Sequence, residues 1–195
     1  MSFKLSLKAL PVGLAALAMS LSVSMANAAE YKIDPTHSFI NFKTNHLGFS
    51  WLSGTFNKIS GTIDYDPENS ADQKVNIEID TASLDTNLPE RDKHLRSAEF
   101  FDVEKFPTAT FVSTGYDGDA NGGTLSGDLT LHGVTKNISF DVKKIGEGND
   151  PWGGYRAGFE GSYILKRSDF GMNYNLGPAA ENVQVDLFIE AIKEK

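Results

Sequence analysis

Apolar and polar residues alternate with a period of two along most of this chain. Four runs show the pattern most clearly, with mainly apolar residues at every second position, and they lie at 75–79, 125–131, 138–142 and 183–189. Such alternation is typical of β-strands that bury one face and expose the other. Further strands are predicted at 39–47, 52–66, 109–116 and 156–166, with a short one at 31–34.

The connections between these runs are mostly short and rich in turn-forming residues, which favours antiparallel neighbours. Because so many one-faced strands would otherwise leave edges unprotected, we expect an all-β fold, an eight-stranded antiparallel β-barrel, with a sandwich as the alternative. Within 52–66 the apolar phase shifts between Phe56 and Ile59. That shift predicts a bulge or sharp bend near Gly54 or Gly61.

A dense charge run at 90–97 (Glu-Arg-Asp-Lys-His-Leu-Arg-Ser) interrupts the strand pattern. Pro89 suits the first turn of a helix, and Asn87 or Asp85 is a candidate N-cap, so one short helix is predicted near 88–97. Phe100 and Phe101 follow at once. Charge beside aromatic residues suggests the mouth of a site for an amphipathic ligand, and a solvated surface helix without a ligand is the alternative.

The first 28 residues have the composition of a cleavable signal peptide. Lys4 and Lys8 precede an apolar stretch at 9–23, and the small residues around Asn27 predict cleavage between Ala28 and Ala29. The mature chain would then be a single domain, residues 29–195, without a membrane-spanning helix. Since the chain has no cysteine, a disulfide framework and thiolate metal sites are excluded, and export fits a bacterial periplasm.

Charge and motifs narrow the chemistry further. The formal net charge is −8, and removal of two leader lysines makes the remainder more acidic, so nucleic acid is not an expected partner. The four histidines, His37, His46, His94 and His132, lack the spacing of a metal site. No Gly-x-Ser-x-Gly motif is present. We therefore predict no catalytic residue, no metal and no cofactor.

Apolar and mainly aromatic side chains either fill the predicted barrel or line a hollow one, and the pattern leaves both open. A barrel of eight strands is wide enough to be packed by its own side chains or to hold one slender ligand, in a lumen of roughly 25 Å. The candidate lumen residues are Phe39, Phe42, Phe49, Trp51, Phe56, Phe106, Phe111, Leu129, Phe140, Trp152, Phe159 and Phe170.

Five separated motifs resemble the YceI family of polyisoprenoid-binding proteins, in the same order and across essentially the whole mature chain. They are His-Leu-Gly-Phe-Ser-Trp at 46–51 with Gly-Thr-Phe at 54–56, the charge run at 90–97, Phe-Pro at 106–107, and the segments 127–135 and 150–159. The resemblance implies a lipocalin-like barrel in the periplasm that binds a long isoprenoid with a quinone or pyrophosphate head. It also implies a tendency to form homodimers, and it does not imply catalysis.

We expect Arg91, His94 and Arg96 to lie near one barrel opening and to meet the polar end of the ligand, because cationic donors bind pyrophosphate and donate hydrogen bonds to quinone oxygens. His46 is a further candidate. Three alternatives remain at this point. The barrel could be an isoprenoid-modifying enzyme that uses His94 or His46 as a base, an outer-membrane barrel with its apolar face outward, or an interaction protein with a filled core.

Overall fold

The computed structural model describes residues 28–66 and 73–195, so the predicted leader lies outside the described residues except for Ala28. The elements of the described chain are β1 (Ala29–Ile33), β2 (Phe39–His46), β3 (Ser50–Phe56), β4 (Ile59–Tyr65), β5 (Lys74–Asp80), β6 (Leu84–Asp85), α1 (Pro89–Arg96), β7 (Thr108–Gly118), β8 (Gly122–Leu131), β9 (Val134–Asn149), β10 (Tyr155–Lys166) and β11 (Asn182–Lys193). None of its helices has the length and apolar composition needed to span a bilayer.

Eight strands close into an antiparallel ring in the order β1, β4, β5, β7, β8, β9, β10 and β11. The ring closes because β11 pairs with both β10 and β1, with Tyr31 opposite Lys193. The other half of β11 pairs with β2, where Val183 lies opposite Thr44, and β3 and β6 continue the sheet from there. The predicted eight-stranded barrel with one short helix is confirmed.

The predicted single strand at 52–66 is wrong in one respect, because two strands occupy it. The backbone N–H of Asn57 donates to the carbonyl of Ser83 at 3.2 Å, and that of Lys58 donates to the Ser83 hydroxyl at 3.1 Å. These bonds replace ladder pairing at the point where the apolar phase shifts. As a result β3 pairs with β2, whereas β4 pairs with β1 and β5.

Helix α1 begins at Pro89, but neither predicted side-chain cap is used. Leu88 is the N-cap residue and makes no side-chain capping bond, while the Asp85 carboxylate accepts from the backbone N–H of Asn87 at 2.7 Å. Proline suits this position because the first helical N–H groups have no partner within the helix. The helix is anchored instead by Asp92, which is buried.

One end of the barrel is packed with aromatic rings. Tyr31 and Tyr65 are buried, with ring centroids 5.8 Å apart, and Phe159 lies 5.4 Å from Tyr65. The Lys144 ammonium donates to the Tyr65 hydroxyl at 3.2 Å. Burial raises the pKa of Tyr31 to about 12, so the phenol stays neutral here. This end of the barrel is therefore filled.

Candidate functional site

Beyond the filled end, the barrel encloses a cavity of about 930 Å³. Its volume lies near the upper end of the range of roughly 300–1,000 Å³ that is usual for ligand sites. The walls are mainly aliphatic and aromatic, because strand alternation turns the apolar face of each strand inward. The protein is thus hollow over much of its length and has an apolar interior.

The cavity is long as well as apolar. Four successive inward positions of β11 line it, namely Val183, Val185, Leu187 and Ile189. They span six residue steps, and at about 3.3 Å per step the lined stretch is roughly 20 Å long. With strands tilted near 40°, this is roughly 15 Å along the barrel axis, which is shorter than the roughly 25 Å expected from the sequence and still accommodates an extended hydrocarbon chain of that length.

Half of the predicted lumen residues do line the cavity. They are Phe42, Phe56, Phe111, Leu129, Phe140 and Phe159. Two pairs among them are in ring contact, with centroids 5.5 Å apart for Phe42 and Phe56 and 5.6 Å apart for Phe111 and Phe140. Contact between these rings and a bound ligand stays a prediction.

Four predicted lumen residues are wrong, because their side chains face solvent. Ile40 and Leu52 are the inward neighbours of Phe39 and Trp51, so strand parity turns these two aromatics outward. The other two lie in turns, beyond the ends of the strands. The exposed fractions are 52% for Phe39, 87% for Phe49, 64% for Trp51 and 80% for Trp152.

Phe106 and Phe170 are also outside the cavity lining, for a different reason. Phe106 packs against the ring of His132 at 4.7 Å and lies beneath Gly133, where an added Cβ would meet its ring at 2.4 Å. Phe170 is buried in a second cluster with Leu165 and Met172. Both phenylalanines belong to connections between strands. Leu165 and Met172 themselves line the cavity, so Phe170 packs against its wall without lining it.

The mouth of the cavity is formed by α1, the segment after it, residues 174–177 and the turn between β2 and β3. Three rings meet there. His94 lies 5.0 Å from Phe100 and 5.3 Å from Tyr174, and the latter two are 5.0 Å apart. His46 also lines the mouth and is exposed. The structure therefore brings three predicted polar residues, Arg91, His94 and His46, to one opening.

Arg91 is held by a buried polar group. Its Nε donates to the Thr86 hydroxyl at 2.6 Å and its Nη2 donates to the Thr86 carbonyl. The Thr86 hydroxyl donates in turn to Asp92 at 2.5 Å. Nη1 of Arg91 has no hydrogen-bond partner within 28–66 and 73–195, although this residue lines the cavity. Arg91 therefore retains donor capacity for a ligand.

Arg96 does not line the cavity, which corrects the expectation that it lies at the opening. Its Nε donates to the carbonyl of Ala82 at 2.8 Å and its Nη2 donates to the carbonyl of Leu84. Arg96 instead ties α1 to the segment that precedes it.

Arg167 is a cavity residue that the sequence did not single out. It is buried, and its guanidinium donates to the carbonyls of Ala180 at 2.8 Å, Met172 at 3.2 Å and Tyr174 at 3.2 Å. These bonds hold one rim of the mouth in place. The one feature of the sequence that could have indicated Arg167 is its position directly after β10. Its hydrogen-bond partners lie in a connection without a regular pattern, so the sequence does not predict them.

A charged cluster lies toward the filled end of the barrel, away from the mouth. Arg156 Nη1 donates to Asp34 at 2.7 Å and to Glu190 at 2.5 Å, and its Nε donates to Asp150 at 2.8 Å. Burial alone would raise the pKa of Asp34, but hydrogen bonds from Thr36, His37 and Arg156 outweigh it and lower that pKa. The same hydrogen bonds favour the charged form of Arg156, so donation to Asp150, Asp34 and Glu190 raises the pKa of its guanidinium.

Asp34, His37 and Glu190 have ligand atoms within 4.8 Å of one another, a spacing that suits a metal ion. Arg156 already donates to the oxygens of both carboxylates that such an ion would need. The guanidinium therefore takes the place that a cation would occupy, and the donor set is that of a structural ion pair rather than a metal centre.

A family model described as the YceI-like domain matches residues 31–191. The chain belongs to the YceI-like domain family. A UPF0312 protein of Serratia proteamaculans is 50% identical over 191 residues, which cover 97% of this chain and 100% of that protein. The Campylobacter jejuni YceI protein, known from a crystal structure, is 30% identical in sequence and superposes with a TM-score of 0.70. The match covers 77% of this chain and 90% of the Campylobacter jejuni chain.

A more distant solved structure carries a functional description. It is a polyisoprenoid binding domain from Saccharophagus degradans that is implicated in plant cell wall breakdown. It is 21% identical, has a TM-score of 0.64 and covers 84% of this chain and 98% of that chain. At this identity the likeness establishes the shared barrel fold.

Proposed function

We propose that this YceI-like protein binds a long-chain polyisoprenoid in its barrel cavity, as a non-enzymatic carrier or store. The observation that carries the proposal is the apolar cavity of about 930 Å³, which is too hydrophobic for a polar metabolite and long enough for an extended tail. Burial of apolar surface provides the driving force, at roughly 0.8 kcal/mol per methylene. The description of the Saccharophagus degradans domain supports the same ligand class.

The mouth favours an amphipathic ligand with its head toward α1. Arg91 supplies a cationic donor, and the rings of His94, Phe100 and Tyr174 provide a partly polar rim. A quinone accepts a hydrogen bond from such a donor, and a pyrophosphate accepts a stronger, charge-assisted one. We propose one of these two heads. The leader composition supports a periplasmic site of action.

Mass spectrometry of an organic extract from natively purified protein tests the proposal. We expect a prenyl lipid in near-stoichiometric amount, lost when the protein is unfolded and washed before extraction. Incubation of the emptied protein with prenyl quinone or prenyl pyrophosphate should return the ligand chemically unchanged. Recovery of only common membrane phospholipids, or of an altered product, would contradict the carrier proposal.

A further inference from the structure

The turn between β2 and β3 exposes an unusual concentration of large apolar side chains. Leu47, Phe49 and Trp51 are 61%, 87% and 64% exposed, and they lie within five consecutive residues. We call these three residues the hairpin tip. Scattered single apolar residues are normal on a protein surface, but a cluster of this kind marks an interaction site.

The backbone of the tip is unfavourable for the residue that it carries. The N–H of Phe49 donates to the carbonyl of His46 at 2.9 Å, and the two residues between have positive φ angles, 55° for Leu47 and 84° for Gly48. Turns of this geometry favour Asn or Asp before the glycine, because a branched side chain is strained at positive φ. Leu47 opposes local stability, which points to a function for its exposed side chain.

The tip is continuous with the cavity mouth. His46, Leu47 and Leu52 all line the cavity, so the inner face of the hairpin forms part of the mouth while its outer face points to solvent. A hydrocarbon that enters or leaves the cavity would pass this hairpin. A surface that holds the mouth against a lipid phase would let the tail transfer without crossing water.

The charge of the hairpin's own segment, residues 35–63, suits a bilayer surface. The chain has 26 acidic residues, yet none falls between Pro35 and Ile63, where Lys43 and Lys58 are basic. Lys43 lies over the ring of Trp51, with its Nζ 5.6 Å from the ring centroid. A tryptophan beside a lysine, with phenylalanine and leucine adjacent, is the combination found at membrane interfaces.

We propose that the hairpin tip is a membrane-docking element, which inserts into the interfacial layer of a phospholipid bilayer and presents the cavity mouth to it. The occupant is the lipid surface itself. A second copy of this chain at the same surface is the competing occupant and is separated by the experiment below. Because docking is measured on vesicles without isoprenoid, its outcome is independent of whether the proposed cavity ligand is correct.

The chain offers an internal control. It has two tryptophans, and Trp152 is also exposed, at 80%, but belongs to the β9–β10 turn. Thr44 lies opposite Val183 on β11, whereas Arg156 lies opposite Ile192 on the same strand. Nine residue steps separate these positions, so the two turns are at opposite ends of the barrel, roughly 30 Å apart.

The experiment uses two single-tryptophan variants of the full protein, Trp152→Phe and Trp51→Phe, with vesicles of phosphatidylethanolamine and phosphatidylglycerol that contain brominated lipid. We expect the fluorescence of Trp51 in the first variant to shift to the blue and to be quenched, while that of Trp152 in the second is unchanged. Equal quenching of both tryptophans, or of neither, would overturn the proposal.

A binding measurement complements the fluorescence. The double substitution Phe49→Ser and Trp51→Ser should weaken vesicle binding by at least about tenfold, whereas Trp152→Ser should leave it unchanged. Neither Phe49 nor Trp51 lines the cavity, so ligand uptake from detergent should persist in the double variant. If the double variant binds vesicles as tightly as the wild type does, the proposal is refuted. A leader buried in the bilayer would give that result. Loss of a dimer in sedimentation without a loss of vesicle binding refutes it also.

Discussion

Asp92 accepts hydrogen bonds from both the backbone N–H of Thr86, at 2.9 Å, and its hydroxyl, at 2.5 Å. Both residues are buried at the base of α1. Since the same hydroxyl accepts from Nε of Arg91, the pair fixes the direction of the guanidinium that reaches the cavity. The short helix therefore holds the Arg91 guanidinium in a fixed position, and it is not merely a run of charged residues in solvent.

Replacement of Arg91 by alanine should weaken binding of a prenyl pyrophosphate by about tenfold, because a charge-assisted hydrogen bond to the head is lost. A prenyl alcohol with the same tail should lose less. Arg96→Ala is the matched control, since Arg96 does not line the cavity and donates to the carbonyls of Ala82 and Leu84. Calorimetric titration of both variants checks this. Equal losses in the two variants would remove Arg91 from the head-group site.

A larger side chain inside the cavity should lower ligand affinity without unfolding the protein. Ile77 lines the cavity and its neighbour Glu78 is exposed on the outer face of β5. Ile77→Trp should lower prenyl quinone affinity by at least about tenfold, because the added ring occupies space that the tail needs. Glu78→Trp should have no effect. Persistence of binding in Ile77→Trp would place the ligand elsewhere.

Tail length gives a second measure of the same site. For ligands with one head group, affinity should rise with each prenyl unit until the tail fills the lined stretch of roughly 20 Å, and then level off. Binding constants for a prenyl series would locate this plateau. A continuous increase with no plateau would indicate that the tail binds outside the barrel.

Strand parity made much of the cavity predictable. On β2 the alternation sets Ile40 and Phe42 inward, so the same pattern that predicts the strand also predicts that Phe39 faces out. Residue type alone does not separate inward from outward positions, so the prediction that Phe39 and Trp51 line the lumen is wrong. Strand alternation is therefore a better guide to the lumen residues than aromatic character.

Other features depend on contacts between distant segments and leave no local pattern. Tyr31 pairs with Lys193 to close the barrel, and Arg156 meets Asp34 across more than a hundred residues. The three carbonyls around Arg167 lie in an irregular connection. Such pairings are set by the way the barrel closes. The periodicity predicts that a closed barrel forms, but not which residues pair within it.

Leu47→Asn should stabilise the fold while it weakens vesicle binding. Asparagine tolerates the positive φ of this position far better than leucine, and we expect a gain of roughly 1 kcal/mol in the free energy of unfolding. Denaturant titration measures the gain, and vesicle flotation measures the loss of docking. Gly48→Ala is the opposite control, since alanine at a φ of 84° should destabilise the turn. Unchanged or lower stability in Leu47→Asn would show that the turn imposes no strain.

Asp34→Asn should make the free energy of unfolding less dependent on pH in the acidic range. The pKa of Asp34 is lowered in the folded state, so its ionised form stabilises the protein above the unfolded Asp pKa of about 3.9, and that stabilisation is lost as pH falls below this value. The difference in unfolding free energy between wild type and Asp34→Asn should thus be about 2 kcal/mol or more at neutral pH and should shrink below about pH 4. Urea titrations across this range measure it, with the exposed Asp117→Asn as control. A difference that stays constant down to about pH 3 would mean that the Asp34 carboxylate is not held ionised by Arg156 and its neighbours.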